Sequence, residues 1–370
     1  MSVILDTLKR MKLSPSYLKL FIPGPTHVPD DVMNSISVPQ IGHRTPEFSE
    51  LMESIVTRSK KLLYTSNRIY LTSNPATGLW EMGAVNSVTR GVLHANNGSF
   101  SSKWSAVSKM CGYDVGVIDY EWGCGIKAED VDRELSTGKY DVFAMVHNET
   151  STGVMSDLES ISQLMKEKYP EVIWLVDAVS SMAGVRIDVD RLGIDFLLSS
   201  TQKAWGLPAG FSLCAVSDRM FDRSLKIDRK GYFFDFSVYE KYYRKMQTPS
   251  TPSIPHMYGM KFVLDRIDEE GLDSRWERHK NMARYAQDWA FDNGQSLFPE
   301  DGCESYTITC IKNNQEWDIE HINSKLLSKG FRMDRGYGNL RYKTFRIAHM
   351  GNVFMDDLIE YLENFKECIR

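Results

Sequence analysis

Apolar runs with polar ends recur along the first part of the chain: NRIYLTSNPATG (67–78), YDVFAMVHNETSTG (140–153), EVIWLVDAVSS (171–181) and DFLLSSTQKAWG (195–206). Each contains a short, unbroken hydrophobic stretch of the kind found in strands buried on both faces. Between them lie helix-like segments: GLWEMGAVNSVT (78–89), WSAVSKMCGY (104–113) and LESISQLMKEKY (158–169). Buried strands alternating with amphipathic helices predict an α/β fold with a mostly parallel sheet between helices. In such sheets ligands gather outside the carboxyl ends of the strands, where all four runs place their polar residues.

The pattern changes after about residue 255. Residues 255–294 read as two long helices broken near Gly271. They are followed by the β-like SYTITCI (305–311), the helix-like IEHINSKLLSKG (319–330), the β-like TFRIAHM (344–350) and the helix-like VFMDDLIEYLENFKECI (353–369). This predicts a small α+β domain. The expected organisation is an N-terminal arm at 1–20, a large domain at 21–265 and a small domain with its linking helix at 266–370.

Bulk properties narrow the function. The chain has 370 residues, 42% hydrophobic and 25% charged, with a net charge of −5. That is ordinary for a globular protein and gives no electrostatic footprint for nucleic acid or an anionic membrane. The apolar patch near the start is interrupted by basic residues and Asp6, so it is too short and charged to cross a bilayer. Six scattered cysteines show no CxxC spacing and no metal-ligand pattern, which predicts reduced thiols in a cytoplasmic protein. GxGxxG and GxxxxGK[ST] are both missing from the sequence, which weighs against a dehydrogenase or a P-loop nucleotidase.

Candidate chemistry centres on Lys203, which the fourth run delivers into a turn of small and polar residues. Asp177 ends the preceding buried run, one strand–helix–strand crossover earlier. A carboxylate in that setting needs a partner. One reading is a structural salt bridge between the two. The other is that both hold a pyridoxal phosphate ring between them. The amine would form an imine with the aldehyde, and the carboxylate would keep the pyridine nitrogen protonated.

The stretch VDAVSSMAGVRIDVDRLGIDFLLSSTQKAWGLPAGFSLCAVSDR (176–219) resembles the core of class V pyridoxal-phosphate-dependent aminotransferases, and most closely the alanine–glyoxylate and serine–pyruvate group. FIPGPTHVPDDV (21–32), GHRTPEF (42–48), VHNETSTG (146–153), TPSTPSIPHMYGM (248–260) and FRIAHMG (345–351) resemble that group in the same order. The resemblance implies fold type I of the pyridoxal-phosphate enzymes, with a seven-stranded-type sheet, and a homodimer whose active sites are shared between subunits. It implies that Lys203 is the Schiff-base lysine and Asp177 the partner of the ring nitrogen. Thr150 would lie near the ring 3-oxygen and Trp104 would stack on the ring. Gln202 would contact phosphate, as would Thr251 reaching across from the second subunit. Read without the resemblance, Trp104 is a core residue and Thr150 and Thr251 are turn residues.

Ala76, Thr77 and Gly78 fall at the family's small-residue phosphate turn. Pro75 departs from its glycine-rich pattern and has no amide hydrogen to donate. Arg346 matches the arginine that grips the substrate α-carboxylate, and Gly24 a turn lining the substrate pocket. His43 and Arg44 fall where the family places residues near the entrance. The implied reaction is a ping-pong transfer of an amino group from a small amino acid of the alanine or serine type to a 2-oxo acid of the glyoxylate or pyruvate type. Two alternatives remain. A phosphoserine aminotransferase would need extra cations, for which His43, Arg44 and Arg335 are candidates. A non-catalytic binding module would keep only the fold. A cysteine desulfurase is disfavoured, because Gln202 stands where that enzyme has a histidine.

Overall fold

The computed structural model describes residues 18–228 and 230–369. Its centre is a seven-stranded sheet: β1 (Arg68–Thr72), β2 (Val92–Asn96), β3 (Val115–Asp119), β4 (Val142–Val146), β5 (Ile173–Asp177), β6 (Phe196–Ser200) and β7 (Ser212–Val216). The spatial order is β1-β7-β6-β5-β4-β2-β3. Six strands run in parallel; β7 runs antiparallel between β1 and β6. The four apolar runs became β1, β4, β5 and β6. All five residues of β4, of β5 and of β6 are buried, as a sheet covered on both faces requires.

The antiparallel β7 follows from a short connection. The chain leaves β6 and returns within residues 201–211. Thr201 donates its N–H to the Phe211 carbonyl (3.0 Å) and its hydroxyl to the Pro208 carbonyl (2.6 Å). A return this short leaves no room for the crossover helix that a parallel neighbour needs.

Register brings the site residues level. Asp177 pairs with Val146 of β4 and with Leu198 of β6, so these three strands end at one edge. Helices pack on both faces. Pro46–Leu62, Leu158–Lys168 and Ile254–Glu270 bury Ile55, Ile161 and Met260 against one side. Ala76–Val85 and Ser99–Met110 bury Trp80 and Trp104 against the other.

The two long helices separate at Gly271, whose φ of 80° favours glycine. The expected boundary at 265–266 falls inside the first of them, Ile254–Glu270. Beyond them, β8 (Ser296–Leu297), β9 (Ile308–Lys312) and β10 (Thr344–Ala348) form an antiparallel sheet. The helices Ile319–Ser328 and Met355–Ile369 share its core with Phe345, Phe365 and Tyr361. Phe21 stacks on Tyr361 in that core (centroids 4.0 Å apart), and Lys19–Leu20 pairs in parallel with Phe331–Arg332. The end of the expected N-terminal arm is thus part of this small lobe, while residues 1–17 lie outside the described residues. Among the described residues no helix is long and apolar enough to cross a membrane.

Candidate active site

Lys203 sits three residues past the end of β6 and is 8% exposed. Its Nζ donates to the Pro23 carbonyl at 2.6 Å. Thr26 clamps the same turn, giving its N–H to the Gln202 carbonyl and its hydroxyl to the Lys203 carbonyl, both at 3.0 Å. A Cβ on Gly24 would come within 2.7 Å of Nζ, so a larger residue there would displace the amine from its present position. Burial, and then the nearby Arg346 guanidinium, lower the Lys203 pKa to about 7, against the opposing pull of Asp177, Asp334 and Glu149.

Asp177 ends β5 and is 3% exposed. Its Oδ2 accepts from the Trp80 indole N–H at 2.7 Å and its Oδ1 from the Val179 N–H at 2.8 Å. Burial pushes its pKa up to about 6 although both donors favour the charged form. The salt bridge weighed from the sequence does not form: the amine goes to Pro23 and the carboxylate to Trp80 and Val179. A cavity lies between them, lined by both residues and by Ala76, Thr77, Phe100, Thr150 and Gln202.

One end of that cavity is the start of the helix Ala76–Val85, whose first turn has no side-chain cap. Ala76 and Thr77, the first two residues of the helix, line the cavity, while Gly78 gives its N–H to the Pro75 carbonyl (2.9 Å). Two uncapped amides with a helix dipole behind them suit a phosphate. The expected contact at Gly78 is therefore not available from its amide. Its small size serves packing instead: a Cβ there would lie 2.1 Å from the Asn74 amide nitrogen.

The aromatic face differs from the expectation. Trp104 is 1% exposed and lies behind Trp80, with rings stacked at 5.9 Å and His94 edge-on at 5.5 Å. It does not line the cavity; Phe100, one helical turn earlier, does. Positions 100 and 104 share one face of the helix Ser99–Met110, and only its first turn reaches the sheet edge. Trp104 is thus a core residue.

Thr150 lines the cavity and shares a hydrogen bond with the Ser180 hydroxyl at 2.5 Å. Gln202 lines it too; its Oε1 accepts from the Ser200 hydroxyl at 2.6 Å, which leaves its amide N–H groups for the cavity. Thr251 is exposed and outside the lining, although its loop is tied near the phosphate turn by the Ser253 N–H on the Ser73 hydroxyl (2.9 Å).

A second cavity, of about 580 Å³, shares Phe100, Thr150 and Lys203 with the first and adds Gly24, Asp334, Tyr337 and Arg346. Arg346, on β10, is 4% exposed. Its Nε and Nη2 donate to the two Asp334 carboxylate oxygens at 2.8 and 2.7 Å, and its Nη1 to the Thr150 carbonyl at 2.7 Å. The other cation candidates divide. Arg335 lines this second cavity beside Arg332 and Arg341, with its guanidinium paired to Glu320, whereas Arg44 donates to the Thr248 and Pro249 carbonyls and neither His43 nor Arg44 lines a cavity at the site.

Sequence reasoning missed Trp80, Phe100, Asp334 and Glu149. Trp80 had a local signal, since it lies on the same helix face as Ala76. Phe100 was within reach as the aromatic nearest the start of its helix. Asp334 had none: it lies in a loop, and its partner Arg346 is on β10.

Comparison with known proteins agrees with this geometry. Residues 23–336 match the aminotransferase class-V family. The chain is 33% identical to an uncharacterized aminotransferase of Methanocaldococcus jannaschii, over 92% of this chain and 90% of that one. It is 29% identical to a serine–glyoxylate aminotransferase of Arabidopsis thaliana, over 92% and 87%. The crystal structure of an alanine–glyoxylate aminotransferase from Nostoc sp. superposes with a TM-score of 0.90 at 27% identity, covering 98% of each chain. With a lysine and a buried carboxylate facing one cavity at the sheet edge, and a family match across most of its length, this chain belongs to the class V aminotransferases.

Proposed function

We propose that the cavity holds pyridoxal 5'-phosphate. We further propose that the enzyme moves an amino group from a small amino acid of the alanine or serine type to a 2-oxo acid of the glyoxylate or pyruvate type, by a ping-pong mechanism. The donor set fits that cofactor. Two amides at a helix start suit the phosphate, a buried carboxylate suits a ring nitrogen, and a primary amine with a depressed pKa suits the aldehyde. When bound, the cofactor supplies an aldehyde that forms a Schiff base with an amine and a ring that takes up electrons released at the substrate Cα.

The observation that carries the reading is Lys203 and Asp177 facing one cavity without bonding each other. At neutral pH the Lys203 amine is partly unprotonated, so it can attack a carbonyl carbon and later shuttle the proton at the substrate Cα. Asp177, ionised in large part at pH 7, holds a proton on the ring nitrogen side. Phe100 lines the cavity, where it would cover a bound ring and exclude water. Of the five N–H groups of Arg346, three are engaged with Asp334 and Thr150; two remain for the α-carboxylate. The relatives named for glyoxylate support the acceptor. Arg44, bonded to backbone carbonyls and outside the cavity lining, lends no support to a phosphoserine substrate, and Arg335, although it lines the second cavity, is held by Glu320; the glyoxylate-named relatives favour the small-acceptor reading. Thr251 contributes its hydroxyl to a phosphate in the second subunit of a homodimer, and the free thiols suit a cytoplasmic enzyme.

Borohydride reduction of the cofactor-loaded protein, followed by peptide mapping, tests this. The label is expected on Lys203, and each competent amino acid should bleach the cofactor band in a half-reaction. Lys203→Ala should keep cofactor affinity within about tenfold and lose turnover; full activity in that variant refutes the assignment.

A further inference from the structure

Glu149 is fully buried and forms no ion pair among the described residues. A buried carboxylate without a cation requires several hydrogen-bond donors. Five converge on it. Its oxygens accept from the Phe100 N–H (3.1 and 3.3 Å), the Ser101 N–H (2.9 Å) and the Ser101 hydroxyl (3.0 Å). They also accept from the Ser151 N–H (3.0 Å) and the Ser151 hydroxyl (2.7 Å).

Three of those donors belong to the first turn of the helix Ser99–Met110, the turn that presents Phe100 to the cavity. The residue before that helix is Gly98, which has no side chain to cap it. A Cβ at Gly98 would lie 2.4 Å from Cγ and 2.6 Å from the carboxyl carbon of Glu149. The glycine therefore makes room for a carboxylate that arrives from a distant segment and replaces the missing cap. Ser151 adds a brace: its hydroxyl accepts from the Ser99 N–H at 2.9 Å while donating to Glu149. The helix start and the turn after β4 are locked as one body through the side chains of Glu149 and Ser151.

We propose that Glu149 is the positioning residue for Phe100: its carboxylate fixes the first helical turn so that the ring covers the cofactor. The inference rests on the pyridoxal phosphate reading above. A second consequence is electrostatic. The same buried anion raises the Lys203 amine pKa, so removing it lowers the midpoint of that amine below about 7.

Glu149→Gln tests this, because the amide keeps the size but turns one acceptor into a donor that faces N–H groups. The equilibrium affinity for pyridoxal phosphate is measured in the wild type, Glu149→Gln, Phe100→Ala and the double variant. Each single variant is expected to weaken binding about tenfold or more. The double variant is expected to bind no more weakly than the weaker single variant, because one residue acts through the other. In the same cycle Trp104→Phe, behind Trp80, is expected to be additive with Glu149→Gln. A titration of the Lys203 amine in the cofactor-free protein should show a lowered midpoint in Glu149→Gln and a raised one in Phe100→Ala, which hydrates the amine. Additive losses in the Glu149–Phe100 cycle, or unchanged affinity in Glu149→Gln, overturn the proposal. If Glu149→Gln does not fold, Glu149→Asp serves. One methylene shorter, it cannot reach both turns, and the same non-additivity with Phe100→Ala is required. A wild type that binds no pyridoxal phosphate overturns the cofactor reading and this proposal with it, whereas wild-type binding with an additive cycle overturns this proposal alone.

Discussion

Trp80→Phe isolates the hydrogen bond that keeps Asp177 acidic. The indole N–H donates to Oδ2 at 2.7 Å, and the carboxylate, 3% exposed, has one other donor, the Val179 N–H. Phenylalanine preserves an aromatic ring against Trp104 but removes the donor. A hydrogen bond to a buried charged acceptor contributes about 1.5–3 kcal/mol. If nearly all of that favours the ionised form, the pKa rises by about 1–2 units at about 1.4 kcal/mol per unit. From about 6 the Asp177 pKa then moves above neutrality, and the acid at pH 7 changes from mostly ionised to mostly protonated. Carbon-13 NMR of the aspartate carboxyls in the cofactor-free protein reads this directly, with Asp177→Asn identifying the resonance. Affinity for pyridoxal phosphate at pH 7 should fall by about tenfold per 1.4 kcal/mol of lost carboxylate stabilisation. An unmoved Asp177 titration with unchanged affinity refutes the role given to Trp80. The folded pKa of Asp177 is raised, so its contribution to stability is present at acid pH and is lost as pH rises through about 6. In Trp80→Phe that loss should extend to higher pH, as denaturant titrations at a series of pH values would show.

Two further predictions concern the cationic side of the site. The Lys203 pKa is depressed from 10.5 to about 7, so its contribution to stability falls as pH drops from 10.5 to about 7, by about 1.4 kcal/mol per pH unit, and is constant below. Lys203→Met should therefore gain stability over the cofactor-free wild type by that slope in urea titrations; a pH-independent difference contradicts a buried, depressed amine. Asp334→Ala leaves the buried Arg346 without its carboxylate partner, which should destabilise the fold by about 3–5 kcal/mol. An added 2-oxo acid should raise the melting temperature of that variant more than that of the wild type; equal shifts would place Arg346 outside the substrate pocket.

Legibility of the site followed the range of the interactions. Lys203 and Asp177 were readable as candidates because each lies at the end of a buried apolar run, and a parallel sheet delivers such ends to one edge, whereas Thr150 was singled out only through the family resemblance. Their mutual arrangement was not readable. The salt bridge weighed for Lys203 and Asp177 is replaced by Pro23, Trp80 and Val179, which come from an N-terminal loop, a helix on one face of the sheet and the next turn. The difference at Trp104 has the same origin. Periodicity places residues 100 and 104 on one helix face, but which of them meets a cavity depends on how far the helix overhangs the sheet.

The chain's own pattern of apolar runs and helical segments determined the α/β class, the buried parallel strands and the edge where the chemistry gathers. Those features depend on burial and local periodicity, which a linear sequence carries. The tertiary structure alone decided that β7 turns back antiparallel, that Glu149 caps a helix forty-nine residues away, and that Asp334 occupies one edge of Arg346. Each of these joins polar groups through packing of distant segments, and the partner of a buried polar group is selected by three-dimensional proximity, which no local periodicity encodes.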